Sequence, residues 1–187
     1  MSLFFVFIVG KRLKKLSTLI ISDSMCKYLP DDILTCNYEV RAIGGLKMYK
    51  LLQNLKDGDI SILGYDLVLI HVGTNDIFCT NVDSFIDQLC ECVNFIKSMN
   101  PNCNILVSSI LPRFCDFYDS NEIVLSFNES MKNCCSNIDV KFISSFKSFL
   151  NRFNFPIRCL YSKDGLHLSV EGLRKLCIFF QNAFLFL

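Results

Sequence analysis

The chain has 187 residues, 51% of them apolar, with 18 Phe and no Trp, which supports one domain whose core needs no metal or disulfide staple. Its formal net charge of +1 excludes a global electrostatic attraction for nucleic acid or acidic lipid.

In chain order, the apolar run at residues 3–9 comes first and is far too short to span a bilayer. The basic cluster Lys11-Arg12-Leu13-Lys14-Lys15 follows it, whereas a secretory signal carries its basic residues first. Residues 1–15 therefore read as an extra strand or a loosely attached apolar and basic tail, with a degenerate signal or a membrane-surface anchor as the alternative. Residues 16–187 read as one domain, without linker, repeat or low-complexity segment.

Residues 16–21 read as a buried strand, and a helix is expected after Ser24 or Met25, ending before Pro30. Residues 38–43 read as a second strand. Residues 46–55 have helical spacing through Leu46, Tyr49 and Leu52 or Gln53, stopping near Asp57-Gly58. Residues 65–72 make a third strand, apolar on both faces through Leu67, Val68, Leu69 and Ile70. Residues 82–99 are the clearest amphipathic helix, with Phe85, Ile86, Leu89, Val93 and Ile96 on one face. Asn100-Pro101-Asn102 stops it. A fourth strand spans 104–111, a helix 122–135 and a short fifth strand 140–143. An irregular stretch at 146–158 is interrupted by Pro156, and a closing helix covers 170–184. Near-continuous apolar strands alternating with helices predict an α/β fold: a three-layer α/β/α sandwich on a five-stranded parallel sheet.

In such sheets the carboxyl ends of the strands form the binding edge. Ser24 follows the first strand, Gly44 and Gly45 the second, and Gly73-Thr74-Asn75-Asp76 the third. A serine in Ser24's place is ordinarily a helix cap, and it becomes a nucleophile only beside a base. The chain has 2 His. His71 lies within the apolar third strand and reads as a packed, satisfied core residue, which leaves His167. Asp164, at a spacing of three, lets a carboxylate reach the other imidazole nitrogen, although Asp164-Gly165 also reads as a turn before a helix capped by Ser169. The backbone N–H groups of Gly45 and Ser24 and the Asn75 side-chain amide would supply oxyanion donors. Taken singly, each segment also reads as a turn or a cap. Taken together and in this order, they form a kit for cleaving an ester.

The 11 Cys include no C-x-x-C, and only the two His could join them, so neither zinc nor a disulfide framework is expected. Read as reduced apolar fillers, they favour a reducing compartment, and a cytoplasmic location is the expectation.

The contexts Ser22-Asp23-Ser24, Ile43-Gly44-Gly45, Gly73-Thr74-Asn75-Asp76 and Asp164-Gly165-Leu166-His167 resemble the SGNH hydrolases, or GDSL-type esterases and lipases, over nearly the whole chain. Leu111-Pro112-Arg113 also looks like the acetylhydrolase branch of that family. The resemblance implies a flavodoxin-like sandwich and hydrolysis without cofactor or metal. It makes Ser24 the nucleophile, His167 the base, Asp164 its partner, and Gly45 (in preference to Gly44), Asn75 and Ser24 the oxyanion donors. Ser22 departs from the family pattern, where Gly is usual. The short chain leaves little room for a lid, so a shallow site for small acyl groups such as acetyl is expected, with an acetylated sugar or lipid as the small ester substrate. No nucleic-acid partner and no transmembrane span are expected, and the oligomeric state is open. Rival readings are a silent binding module for protein or RNA on the same fold, a decayed gene product, and a nucleotide-binding flavodoxin-like protein. The last lacks a Gly-rich phosphate loop after the first strand. The closing Phe179-Phe180 and residues 184–187 are expected to be mostly core.

Overall fold

The computed structural model describes residues 16–186; the tail expected at residues 1–15 lies outside them. The elements run β1 (Ser17–Ser22), β2 (Asn37–Ala42), α1 (Met48–Asp57), β3 (Leu67–His71), α2 (Val82–Met99), β4 (Asn104–Ser108), α3 (Phe117–Asn137), β5 (Lys141–Ile143) and α4 (Val170–Phe184). All pairings are parallel, in the order β2-β1-β3-β4-β5, which is the flavodoxin-like strand order.

Successive strand residues point to opposite faces, and here both faces are apolar. Leu19 and Ile21 of β1, Val68 and Ile70 of β3, and Ile105 and Val107 of β4 enter one core, against α1, α2 and α3. Ile20, Leu67, Leu69 and Leu106 enter the other, against α4 and the segment around Met25 and Leu34. The expected three-layer α/β/α sandwich is therefore present, with three helices on one face and one on the other.

The limits of α2 and α4 agree with the sequence expectation, since both have local caps. Asn81 Oδ1 accepts the Ser84 amide at 2.8 Å, and Ser169 Oγ accepts that of Gly172 at 3.2 Å. Three helix expectations need correction, and the fourth strand ends at Ser108 rather than at residue 111. The helix after Ser24 is a single 3₁₀ turn, Ser24–Cys26, because Pro30 biases Leu29 away from helix and leaves too short a run to propagate one. α3 begins at Phe117 rather than residue 122, started by Asp119 and Ser120 amides bonding the Asp116 carbonyl. In α1, Tyr49 is 52% exposed, and the buried face is Met48, Leu51 and Leu55. That helix starts at Met48 because its cap comes from a distant loop: the Asp76 carboxylate accepts the Met48 amide at 3.1 and 3.3 Å.

Residues 146–158 are irregular as expected, with a 3₁₀ turn at Phe146–Phe149 and an isolated bridge from Leu150 to Pro156. Cys26, Cys92, Cys103, Cys134, Cys135 and Cys177 are buried fillers, while Cys79, Cys115 and Cys159 are exposed. The closing apolar run divides: Phe180, Ala183 and Phe184 are core, whereas Leu185 and Phe186 are exposed. Among the described residues no helix is long and apolar enough to cross a membrane, and no cluster of three or more His, Cys, Asp or Glu could hold a metal ion.

α4 lies so close to the segment before it that a Cβ on Gly172 would sit 2.1 Å from the Leu160 carbonyl oxygen. Within an ordinary helix, Gly to Ala stabilises by roughly 0.5–1 kcal/mol. Here Gly172→Ala is expected to destabilise by ~1–3 kcal/mol through overpacking, measured by urea unfolding. A more stable variant would contradict this packing.

Candidate active site

β1 runs directly into the turn that carries Ser24. The Asp23 side chain accepts the Met25 amide at 2.9 Å and so caps the 3₁₀ turn that Ser24 begins. Ser22, at the position that departs from the family pattern, is fully buried, and its Oγ has no hydrogen-bond partner among the described residues.

Ser24 Oγ lies 2.9 Å from His167 Nε2, and His167 Nδ1 lies 2.6 Å from Asp164 Oδ2. The other Asp164 oxygen accepts the Leu166 amide at 2.9 Å, the His167 amide at 3.0 Å and the Ser162 hydroxyl at 2.9 Å. Desolvation pushes the Asp164 carboxyl up, but the bond to His167 and these donors together hold it well below the usual carboxylate range. Asp164 is therefore an anion at neutral pH, held in one orientation beneath the imidazole. The arrangement is open: the side chains of His167 and Asp164 are 43% and 51% exposed.

The loop carrying this pair is docked on the segment after β4. The Gly165 carbonyl accepts the amides of both Phe114 and Cys115, at 2.9 and 3.0 Å. Gly165 has φ +70°, and a Cβ there would lie 3.0 Å from the Cys115 nitrogen. Tyr161 adds a second tie by donating to the Pro112 carbonyl at 2.6 Å.

The other expected donors meet across a second pair of loops. Asn75 Nδ2 donates to the Leu46 carbonyl at 3.2 Å, which joins the loop after β3 to the one holding Gly44 and Gly45. One amide hydrogen of Asn75 is engaged there. Gly45 has φ +69° and Gly44 does not have a positive φ. A Cβ at either would meet nothing within 4 Å, so the need for glycine at position 45 is its left-handed backbone and not lack of space. The structure thus joins Ser24, His167 and Asp164 in one bonded chain, and brings Gly45 and Asn75 together through Leu46 without bonding either to Ser24.

His71 is buried and packs edge-on against Phe180 at 5.9 Å. Burial lowers its pKa to about 4. It is packed as expected but not satisfied: Nδ1 has no hydrogen-bond partner among the described residues. Two carboxyls that the sequence reading had not marked as buried flank the site. Desolvation raises Asp23 to about 7 and Asp76 to about 6, against lowering by the Met25 and Met48 amides respectively. Their local signal was their position, each immediately beside a site residue at a strand end. Arg113, which donates to the Thr74 carbonyl at 2.9 Å, was legible only as part of Leu111-Pro112-Arg113.

The model of the GDSL-like Lipase/Acylhydrolase family matches residues 23–175. No curated protein matches in sequence. Among solved structures, a Streptococcus pneumonia protein provisionally described as a platelet activating factor is 25% identical, with a TM-score of 0.80 over 92% of this chain and 86% of that one. A GDSL-like lipase from Bacteroides thetaiotaomicron is 20% identical, with a TM-score of 0.77 over 89% and 86%. An acetyl xylan esterase is 19% identical, with a TM-score of 0.74 over 90% and 99%. The latter two likenesses establish the fold.

Asp23 gives this site a pH signature. Its folded-state pKa, about 7, lies above the ordinary 3.8, so the folded state holds the proton more tightly. Its contribution to stability is complete below pH ~4 and is lost as pH rises through ~7. Asp23→Asn keeps an acceptor for the Met25 amide and removes the titration. The variant is expected to gain stability relative to wild type between pH 4 and pH 8, by up to roughly 4 kcal/mol at ~1.4 kcal/mol per unit. Urea unfolding at the two pH values checks this; a pH-independent difference would refute it.

Proposed function

This chain belongs to the GDSL-like lipase/acylhydrolase family and is a carboxylic ester hydrolase, and we propose that it cleaves small-acyl, acetyl-like esters with Ser24 as nucleophile. The observation that carries this reading is the continuous bonded chain from Ser24 Oγ through His167 to Asp164, at 2.9 and 2.6 Å. A binding module that performs no chemistry has no need of that alignment.

In the proposed reaction, His167 Nε2 takes the Ser24 proton as Oγ attacks the acyl carbonyl. Asp164 keeps the proton of Nδ1 facing itself and stabilises the imidazolium. The carbonyl oxygen becomes an oxyanion, which the N–H groups of Ser24 and Gly45 and the other amide hydrogen of Asn75 would receive. His167 then gives its proton to the leaving alcohol, and the acyl group stays on Ser24. Water, deprotonated by the same nitrogen, attacks that ester; His167 then returns the proton to Ser24 Oγ as the acyl bond breaks, releasing the acid and restoring the Ser24 hydroxyl.

The small-acyl preference rests on the openness of the site. With His167 and Asp164 about half exposed, a long acyl chain would find little apolar wall to lie against. The likeness to an acetyl xylan esterase fits the same reading, and an acetylated sugar or lipid would present such a group.

Purified protein is expected to hydrolyse p-nitrophenyl acetate faster than the butyrate. Ser24→Ala and His167→Ala should each lower kcat by roughly four orders of magnitude or more. Asn75→Ala should cost ~10²–10³. Folded wild type that turns over no faster than the Ser24→Ala variant would refute the assignment, and preference for butyrate would refute the small-acyl pocket.

A further inference from the structure

Arg113 joins the loop before Asn75 to the start of α3. Its side chain is only 13% exposed. Nε and Nη2 grip the Asp116 carboxylate at 2.8, 3.1 and 2.6 Å. Nη1 donates to the Thr74 carbonyl at 2.9 Å and lies 3.4 Å from the Thr74 hydroxyl. The guanidinium also lies over the Phe78 ring, 5.4 Å from its centroid. The planar group therefore grips the carboxylate through two nitrogens while the third reaches Thr74, a fork that a lysine ammonium cannot reproduce.

The Asp116 anchor is itself fixed. Asp116 stands at the start of α3, where its carbonyl takes the first helical amides. The segment carrying Arg113 is tied to the same helix by Asn128, which bonds the Ile110 amide at 2.8 Å and its carbonyl at 2.9 Å. Partial burial pushes the Asp116 carboxyl up, yet Arg113 holds it below the usual carboxylate range, so the pair stays ionised at neutral pH. The Thr74 carbonyl belongs to the peptide that leads into Asn75. Fixing that peptide plane fixes where the Asn75 side chain starts, while Leu46 holds where it ends.

We propose that Arg113 is a positioning residue, transmitting the rigidity of α3 to the Asn75 donor and so governing stabilisation of the oxyanion. The inference rests on the esterase reading for its kinetic consequence but not for its structural one. Oxyanion stabilisation is realised in the transition state, so loss of aim should appear in kcat and leave KM nearly unchanged.

The test is a double-mutant cycle on p-nitrophenyl acetate. Arg113→Met is expected to lower kcat by about tenfold or more with KM within roughly twofold, and Arg113→Lys should not restore it. In an Asn75→Ala background the same substitution should cost less than about twofold, because the donor it aims is gone. Equal losses in both backgrounds, a loss carried by KM, or rescue by Lys would each overturn the proposal. If Arg113→Met does not fold, Asp116→Asn loosens the same clamp from its other end and should lower kcat in the same way; full activity would count against the proposal. The NMR resonance of the Asn75 side-chain amide is followed in parallel and needs no turnover. A shifted or broadened amide in Arg113→Met is the expected result, and an unmoved one overturns the proposal even if the protein hydrolyses no ester.

Discussion

Everything at this site depends on one directional constraint: the five strands run the same way. The loops that leave β1, β2, β3 and β4 therefore emerge at a single edge, and residues far apart in sequence become neighbours there. Ser24 and His167 are 143 positions apart and share a hydrogen bond. No local interaction would bring them together. The sheet is held in turn by its two apolar cores, because each strand residue that turned polar would expose one face to a layer with no partner for it.

The loops at that edge are not merely adjacent; they are tied to one another by polar bonds between backbone and side chain. The Gly165 carbonyl accepts two amides from the segment after β4, the Asn75 side-chain amide donates to a carbonyl in the loop after β2, and Asp76 caps α1. Such ties carry a cost. Asp23 and Asp76 are buried carboxyls whose charged forms are disfavoured by desolvation. They remain because each accepts a backbone amide that would otherwise be unpaired near the strand ends.

Much of this was legible in the sequence where the signal was local. α2 and α4 were bounded correctly because a strong apolar period coincided with a side-chain cap, Asn81 or Ser169. The strand positions followed from apolar runs too short to be helices. What could not be read was set by partners distant in the chain. The start of α1 turned on a cap supplied by Asp76, which lies 28 positions from Met48. Spacing alone did not show that Gly45 is needed for its backbone sign, nor that Gly165 is docked on Cys115. The three bonded residues Ser24, His167 and Asp164 were identified because the order of four short blocks carries more information than any one of them. Arg113 was seen only as part of a pattern, since its partners Thr74 and Asp116 are brought to it by the fold.

The central claim is that Ser24 is an activated nucleophile, and its reactivity can be read without knowing the natural ester. The folded protein would be treated with a fluorophosphonate, its intact mass recorded and the modified peptide mapped, beside His167→Ala. The account predicts one adduct, on Ser24, forming far more slowly when His167 is absent. A folded protein that stays unlabelled, or carries the adduct on another residue, would contradict it.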